Sequence, residues 1–345
     1  MPTSRDVARH AGVSQSTVSR ALASHPGVAD DLRARVLAAA RELRYRPNEA
    51  ARAMRTSRSG NIGVVTARLA NPLYPELLQL LSRELSAAGQ RMVVWNTEDA
   101  DGEAAVDVAR SGGVDGVVFT TATEGSARLY RALTERVPVA LVNRTIAGWP
   151  CDQVESDNRG GGRAVAAYFG AGGRRRVGLV AGPREASTIR NREDGFREGL
   201  EAAGLGLEHG RCIRVEGFSY RSGFEAARRL LDLAAPPDAV FCVNDVLALG
   251  ARDAARSLGV PLPEALWLVG YDDVEMASWT AFDLTTVRQP LAEMAAHAVR
   301  LLLRRIRGGG AASHEHLVLA NPLVVRGSTS RHPVPAPADA PGVAA

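Results

Sequence analysis

Two successive series of short, apolar, β-branched runs, each run separated by a helix-length stretch, constrain this chain more than any other feature. The first series falls at residues 62–65, 92–95, 117–120 and 139–142, the second at 177–181, 212–215, 240–243 and 268–271. Residues 75–88, with a proline at the start and Gly89 just past the end, read as a helix, as do 192–203, 220–233 and 247–258. Strand–helix alternation predicts a parallel sheet covered on both faces, and two such series predict two doubly wound lobes. Neither series carries Gly-x-Gly-x-x-Gly after a strand, so no dinucleotide cofactor is expected.

The chain then turns back. Residues 285–289 are extended, Pro290 opens a helix to about Arg307, and 317–325 is a late extended segment. Residues 328–345, with Pro333, Pro335, Pro337 and Pro341, read as a disordered tail without the leucine heptad of a coiled coil. Ligands of open α/β lobes bind beyond the carboxyl ends of the strands. That rule singles out Leu69, Asn71, Tyr74, Thr120, Asn143, Arg144, Asp157 and Asn158 in the first lobe. In the second it singles out Arg190, Arg192, Phe218, Asn244, Asp245, Asp272 and Asp273, with Gln289 before Pro290. Asp, Asn and Arg suit vicinal hydroxyls, and an aromatic face covers an apolar ring face. Asp245 equally suits a helix N-cap, and Asp272 and Asp273 read as loop or capping residues.

Ahead of the lobes lies a basic head. Every one of the 42 cationic side chains is arginine, and residues 1–60 hold 11 of them against five acids, a net +6. Residues 61–345 hold 31 arginines and 33 acids, a net −2. A basic head on a near-neutral body implies an anionic polymer as partner for the head alone. The absence of lysine excludes Schiff-base, Walker-loop and kinase-lysine chemistry. Ser4 is expected to cap a first helix, Gly12 to make the turn, and Ser14 to cap a second helix to about Leu22. Asp30 is expected to cap a third through Leu43, with Leu32, Val36, Leu37, Ala40 and Leu43 on one face. This is a helix-turn-helix, whose second helix enters the DNA major groove.

Ala-Gly-Val-Ser-x-x-Thr-Val-Ser-Arg at 11–20, Tyr-x-Pro-Asn at 45–48 and Gly-Asn-Ile-Gly-Val-Val at 60–65 resemble the lactose-repressor (LacI/GalR) family of bacterial transcription regulators, from about Thr3 to Gly327. The resemblance implies a helix-turn-helix domain at 1–46, a hinge helix and linker at 47–60, a two-lobed body of periplasmic-binding-protein type at 61–327, and a tail at 328–345. It implies that Gln15, Ser16 and Arg20 read base edges, beside Ser4. It also implies that Ser14, Thr17 and Asn48 anchor phosphates, and that Met54, where the family more often has leucine, wedges into the minor groove. Effector contacts are implied at Leu69, Tyr74, Thr120, Asn143, Arg192, Phe218, Asp245 and Gln289.

The expected protein is therefore a dimeric, cytoplasmic regulator. It binds a near-palindromic operator under control of a small molecule, a sugar or sugar phosphate, with a purine as the alternative. Three scattered cysteines read as reduced thiols. No apolar run is long enough to span a membrane, and the N-terminus lacks an apolar signal region. No Gly-x-Ser-x-Gly or His-Glu-x-x-His occurs, and His314-Glu315-His316 reads as an exposed loop, so neither catalysis nor a metal is expected. The rival readings are a two-lobed sugar-binding protein and a sugar-modifying enzyme without a DNA role.

Overall fold

The computed structural model describes residues 2–22, 25–45, 58–97, 112–126, 137–308 and 313–330. The chain divides into two compact units, Met1–Ser59 and Gly60–Ala345.

The first unit carries α1 (Ser4–Ala11), α2 (Gln15–Leu22) and α3 (Asp30–Glu42). The cap of α1 is Thr3 rather than Ser4. Thr3 takes an extended conformation, its hydroxyl accepts from the Asp6 N–H, and the Asp6 carboxylate accepts from the Thr3 N–H at 2.8 Å. Gly12 stands at φ +64°, and Ser14 caps α2 by accepting from the Thr17 N–H at 3.1 Å. Asp30 is the first residue of α3 and not its cap; Ala29 holds the cap position, and Asp30 and Asp31 face the positive end of the helix dipole. Val7, Val18 and Val36 are fully buried at the centre of the three helices. Leu37, expected inside, is 39% exposed, because Val36, Ala39 and Ala40 form the inward stripe and Leu37 lies one residue off it.

In the second unit the strands are β1 (Asn61–Thr66), β2 (Arg91–Asn96), β3 (Gly116–Phe119), β4 (Val139–Val142) and β5 (Asp152–Ser156). They continue as β6 (Val177–Ala181), β7 (Cys212–Arg214), β8 (Ala239–Cys242), β9 (Trp267–Val269), β10 (Thr286–Val287), β11 (His316–Leu319) and β12 (Leu323–Val324). The helices are α4 (Leu73–Ala87), α5 (Asn158–Ala171), α6 (Ser187–Ala202), α7 (Tyr220–Leu231), α8 (Asp245–Ser257) and α9 (Leu291–Ile306). One parallel sheet runs β11-β5-β4-β3-β1-β2, a second runs β7-β6-β8-β9, and β10 pairs antiparallel with β12. The chain crosses between lobes three times, after β5, after β10 and after β11, so neither lobe is continuous in sequence. Helices α4 and α9 cover the first sheet through Leu77, Leu81, Leu85, Met294 and Leu302; Phe169, Phe196, Phe241 and Tyr271 fill the second core.

Three local expectations change. Helix α5 is absent from the helices the sequence suggested, because Gly160, Gly161 and Gly162 hid it. A β-carbon on Gly162 would lie 2.3 Å from the Arg192 carbonyl oxygen, and one on Gly195 2.0 Å from that of Arg159, so the glycines let α5 and α6 touch backbone to backbone. The segment around His316 is strand β11, not a loop, with His316 Nε2 2.9 Å from Glu155. The body also extends past Gly327: Ser328 Oγ donates to the Leu268 carbonyl at 2.6 Å and accepts from the Thr285 N–H at 2.8 Å, and Thr329 is buried. Residue 46, residues 47–57 of the expected hinge region and residues 331–345 of the expected tail lie outside the described residues.

Candidate functional site

In the first unit Gln15, Ser16 and Arg20 all project from α2 into solvent. The helix start is tied by hydroxyls: Ser14 Oγ lies 2.7 Å from Ser16 Oγ and 2.8 Å from Thr17 Oγ1. Gln15 Nε2 donates to Ser4 Oγ at 2.7 Å, so Ser4 holds the glutamine rather than capping a helix. A short, exposed, polar helix end carrying an amide and a guanidinium can meet base edges in a groove. Asn48 and Met54 lie outside the described residues.

In the second unit a cleft lies between the carboxyl ends of the two sheets. Asn71, Tyr74, Asn143 and Arg144 line it from the first lobe; Thr188, Arg192, Phe218, Asn244 and Asp272 line it from the second. Three contacts clasp the lobes. Arg190 Nη1 meets Glu124 Oε1 at 3.1 Å, the Thr145 N–H donates to Ser187 Oγ at 3.0 Å, and the Arg68 guanidinium lies 5.0 Å above the Phe218 ring.

Arg192 organises the floor. Its Nε donates to Asn158 Oδ1 at 2.8 Å and its Nη1 to the Val243 carbonyl at 2.7 Å; Nη1 also pairs with Asp272 Oδ1 at 3.1 Å. The guanidinium lies 3.6 Å from the centre of the Tyr271 ring. Gln289 Nε2 donates to Asp272 Oδ1 at 2.7 Å, and Gln289 Oε1 accepts from Ser156 Oγ at 3.0 Å. Burial pushes the Asp272 carboxyl above the usual range, while Arg192 and the hydrogen bond from Gln289 pull it back. Gln289 thus braces the acid from two crossing segments and does not itself line the cleft.

The structure places Asp245 behind the cleft rather than on its wall. Asn244 is the N-cap of α8, accepting from the Leu247 N–H at 2.9 Å. Asp245, one residue on, turns into the protein and is wholly buried. One carboxylate oxygen accepts from the Val274 N–H at 2.9 Å, the other from Thr286 Oγ1 at 2.6 Å. Burial, and then the nearby Asp272, raise its pKa well above the usual carboxylate range. The acid that lines the cleft is Asp272, and the side chain of that first α8 turn that lines it is Asn244. Thr120 also falls behind the wall, where its hydroxyl bonds Thr66 Oγ1 at 2.9 Å; Leu69 packs on the first-lobe core. Tyr74, Asn143, Arg192 and Phe218 line the cleft, and Asn143 sits at φ +74°, a conformation asparagine tolerates. Thr188 and Ile189 carried no signal, because α6 starts five residues earlier than the sequence suggested.

A helix-turn-helix unit followed by a two-lobed body with a polar interlobe cleft defines a DNA-binding regulator with a ligand-sensing body. Residues 3–48 match the family described as bacterial regulatory proteins, lacI family, and residues 166–329 match the periplasmic binding protein-like domain. The chain is 34% identical over 330 residues to the HTH-type transcriptional regulator DegA of Bacillus subtilis (strain 168), covering 94% of this chain and 97% of that protein. It superposes on the lac repressor dimer bound to operator and the anti-inducer ONPF with a TM-score of 0.83 at 27% identity, covering 95% of this chain and 99% of that one. A complex of the transcriptional regulator CelR with cellobiose gives a TM-score of 0.72 at 31% identity, covering 95% and 100%. The chain belongs to the lacI family of bacterial regulatory proteins. No helix among the described residues is long and apolar enough to cross a membrane.

Proposed function

We propose that this regulator is a cytoplasmic repressor that binds a near-palindromic operator as a homodimer and is controlled by a sugar-like small molecule held between its lobes. The observation that carries the DNA reading is the exposed face of α2, where Gln15, Ser16 and Arg20 stand free of the core and Ser4 orients the glutamine. Residues 1–46 read the half-site, residues 47–60 link the reader to the body, with Asn48 on a phosphate and Met54 in the minor groove, and residues 61–330 sense the ligand. The solved relatives on operator DNA and with cellobiose support the two partners.

The cleft supports a hydroxyl-rich ligand. Asn71, Asn143, Thr188, Asn244 and Asp272 offer donors and acceptors, and Tyr74 and Phe218 offer apolar faces. Such a lining holds and orients a ligand rather than reacting with it, which favours a sensor over a sugar-modifying enzyme. Closing the cleft draws on both lobes and on Gln289 at the crossing, so ligand binding changes the lobe angle and with it the geometry offered to DNA.

A gel-shift titration with the region upstream of its own gene and neighbouring promoters tests the reading. A sequence-preferring shift that weakens steeply with salt and responds to a ligand of the cleft is expected; binding indifferent to sequence overturns it.

A further inference from the structure

Arg144 and its neighbour Asn143 each bring to the cleft wall a buried polar atom without a hydrogen-bond partner. Arg144 is 4% exposed and lines the cleft, yet its Nη1 has a single long bond, 3.4 Å to the Thr121 carbonyl, and its Nε has no partner. No carboxylate among the described residues pairs with it. Asn143, 2% exposed, donates from Nδ2 to the Thr120 carbonyl at 3.4 Å and leaves Oδ1 without a partner. Arg192 across the cleft is the opposite case, bonded through Nε and Nη1 and neutralised by Asp272. A buried guanidinium without a counter-charge is costly, so it persists where a charge arrives with a ligand.

We infer that the effector carries an oxyanion, a phosphate or a carboxylate on a hydroxyl-bearing frame, and that Arg144 binds that group while Asn143 Oδ1 accepts from an adjacent hydroxyl. The guanidinium fork matches two oxygens of either anion, and the charge-assisted bonds form away from bulk water. Arg192 and Asp272, already matched to each other, are left to position hydroxyls at the other wall. This rests on the reading of the cleft as the effector site, and it selects acidic ligands over neutral sugars and over purine bases.

The test is calorimetric titration of the full chain with matched neutral and anionic probes: glucose against glucose 6-phosphate and glucuronate, ribose against ribose 5-phosphate. At least one anionic member binds about tenfold or more tightly than its neutral parent, and the phosphate and carboxylate arms identify the anion. Arg144→Met weakens that binding about a hundredfold, as loss of charged hydrogen bonds does, and leaves the neutral parent within about threefold. Arg144→Lys recovers part of the loss. The ligand-free melting temperature of Arg144→Met stays level or rises, because the removed charge is uncompensated; this separates a ligand contact from a structural one. Neutral sugars binding as tightly as their acids, no acid binding at all, or an affinity unmoved by Arg144→Met each overturn the inference. Operator binding by the same preparations, measured in parallel, reports on the regulator reading separately.

Discussion

Arg192 and Asp272 form an ion pair of 3.1 Å in which neither side chain is more than 3% exposed, roofed by the ring of Tyr271. Such a pair contributes little net stability while intact, but removing one member strands the other charge, at about 3–5 kcal/mol. Arg192→Met is expected to lose about 3 kcal/mol in urea unfolding and all ligand response. Adding Asp272→Asn to it should restore part of the stability and none of the response. A double variant no more stable than the single would place the cost in lost packing instead.

Asp245 and Asp272 separate by role. Asp245→Asn keeps the shape of a group whose bonds are to Val274 and Thr286, so ligand response is expected to survive. Asp272→Asn removes the partner of Arg192 in the cleft, and response is expected to fall at least tenfold. The pH behaviour follows from the raised pKa of Asp245, set by burial and by Asp272. An acid with a folded pKa above its unfolded one holds its proton longer in the folded state, so stability falls as pH rises between the two values. Asp245→Asn should therefore flatten the decline in melting temperature as pH rises above the usual carboxylate range, measured by thermal scans.

Gly162 marks where α5 rests on α6. An added β-carbon would sit 2.3 Å from the Arg192 carbonyl oxygen and 2.7 Å from the Phe196 nitrogen, and backbone cannot step aside as a side chain can. Gly162→Ala is expected to cost about 3 kcal/mol and to weaken ligand binding by displacing Arg192. Gly206→Ala is the control: nothing lies within 4 Å of its β-carbon, so it should be neutral or gain a few tenths of a kcal/mol. Chemical denaturation of both, side by side, decides it.

The same glycines explain what the sequence could and could not disclose. Central strands announce themselves as runs such as Val-Gly-Leu-Val-Ala at β6, buried on both faces. Helix α5 did not, because Gly160-Gly161-Gly162 is a breaker locally and a close-packing surface only in the presence of α6. In the cleft, Arg192 was legible from its place beyond a strand end and from the family resemblance. The choice between Asn244 and Asp245, or between Asp245 and Asp272, was not. Successive residues at a helix start point about 100° apart, and only the fold decides which faces the ligand.

Glu193 gives the acid limb of stability. It is 2% exposed and meets Arg184 at 3.0 Å, Arg197 at 3.0 Å and Arg214 at 2.9 Å. Burial pushes its carboxyl up, but hydrogen bonds from Arg214 and Arg197 and the surrounding charge outweigh it and hold the pKa below the usual range. A depressed acid stabilises the fold above its unfolded pKa and loses that contribution as pH falls through the folded one. Glu193→Gln is expected to cost about 2 kcal/mol at pH 7, a modest figure because each guanidinium is about two-fifths exposed. The cost should shrink toward pH 3, read as converging urea midpoints for the two proteins.

Arg20 tests the reading helix itself. It stands exposed on the last turn of α2, four residues beyond Ser16, and the core residues Val18 and Ala21 lie on the opposite side. Removing it touches no packing, so the fold and ligand response should be intact. If its fork meets a guanine, Arg20→Ala loses about 1–3 kcal/mol at the preferred operator and much less on unrelated DNA, flattening discrimination at one base position. A phosphate contact would instead weaken all sequences alike and reduce the salt slope by about one unit. Titrations on operator variants at two salt concentrations separate the outcomes, and Ser4→Ala, which frees Gln15 without removing it, should blur readout at a different position and by a smaller factor.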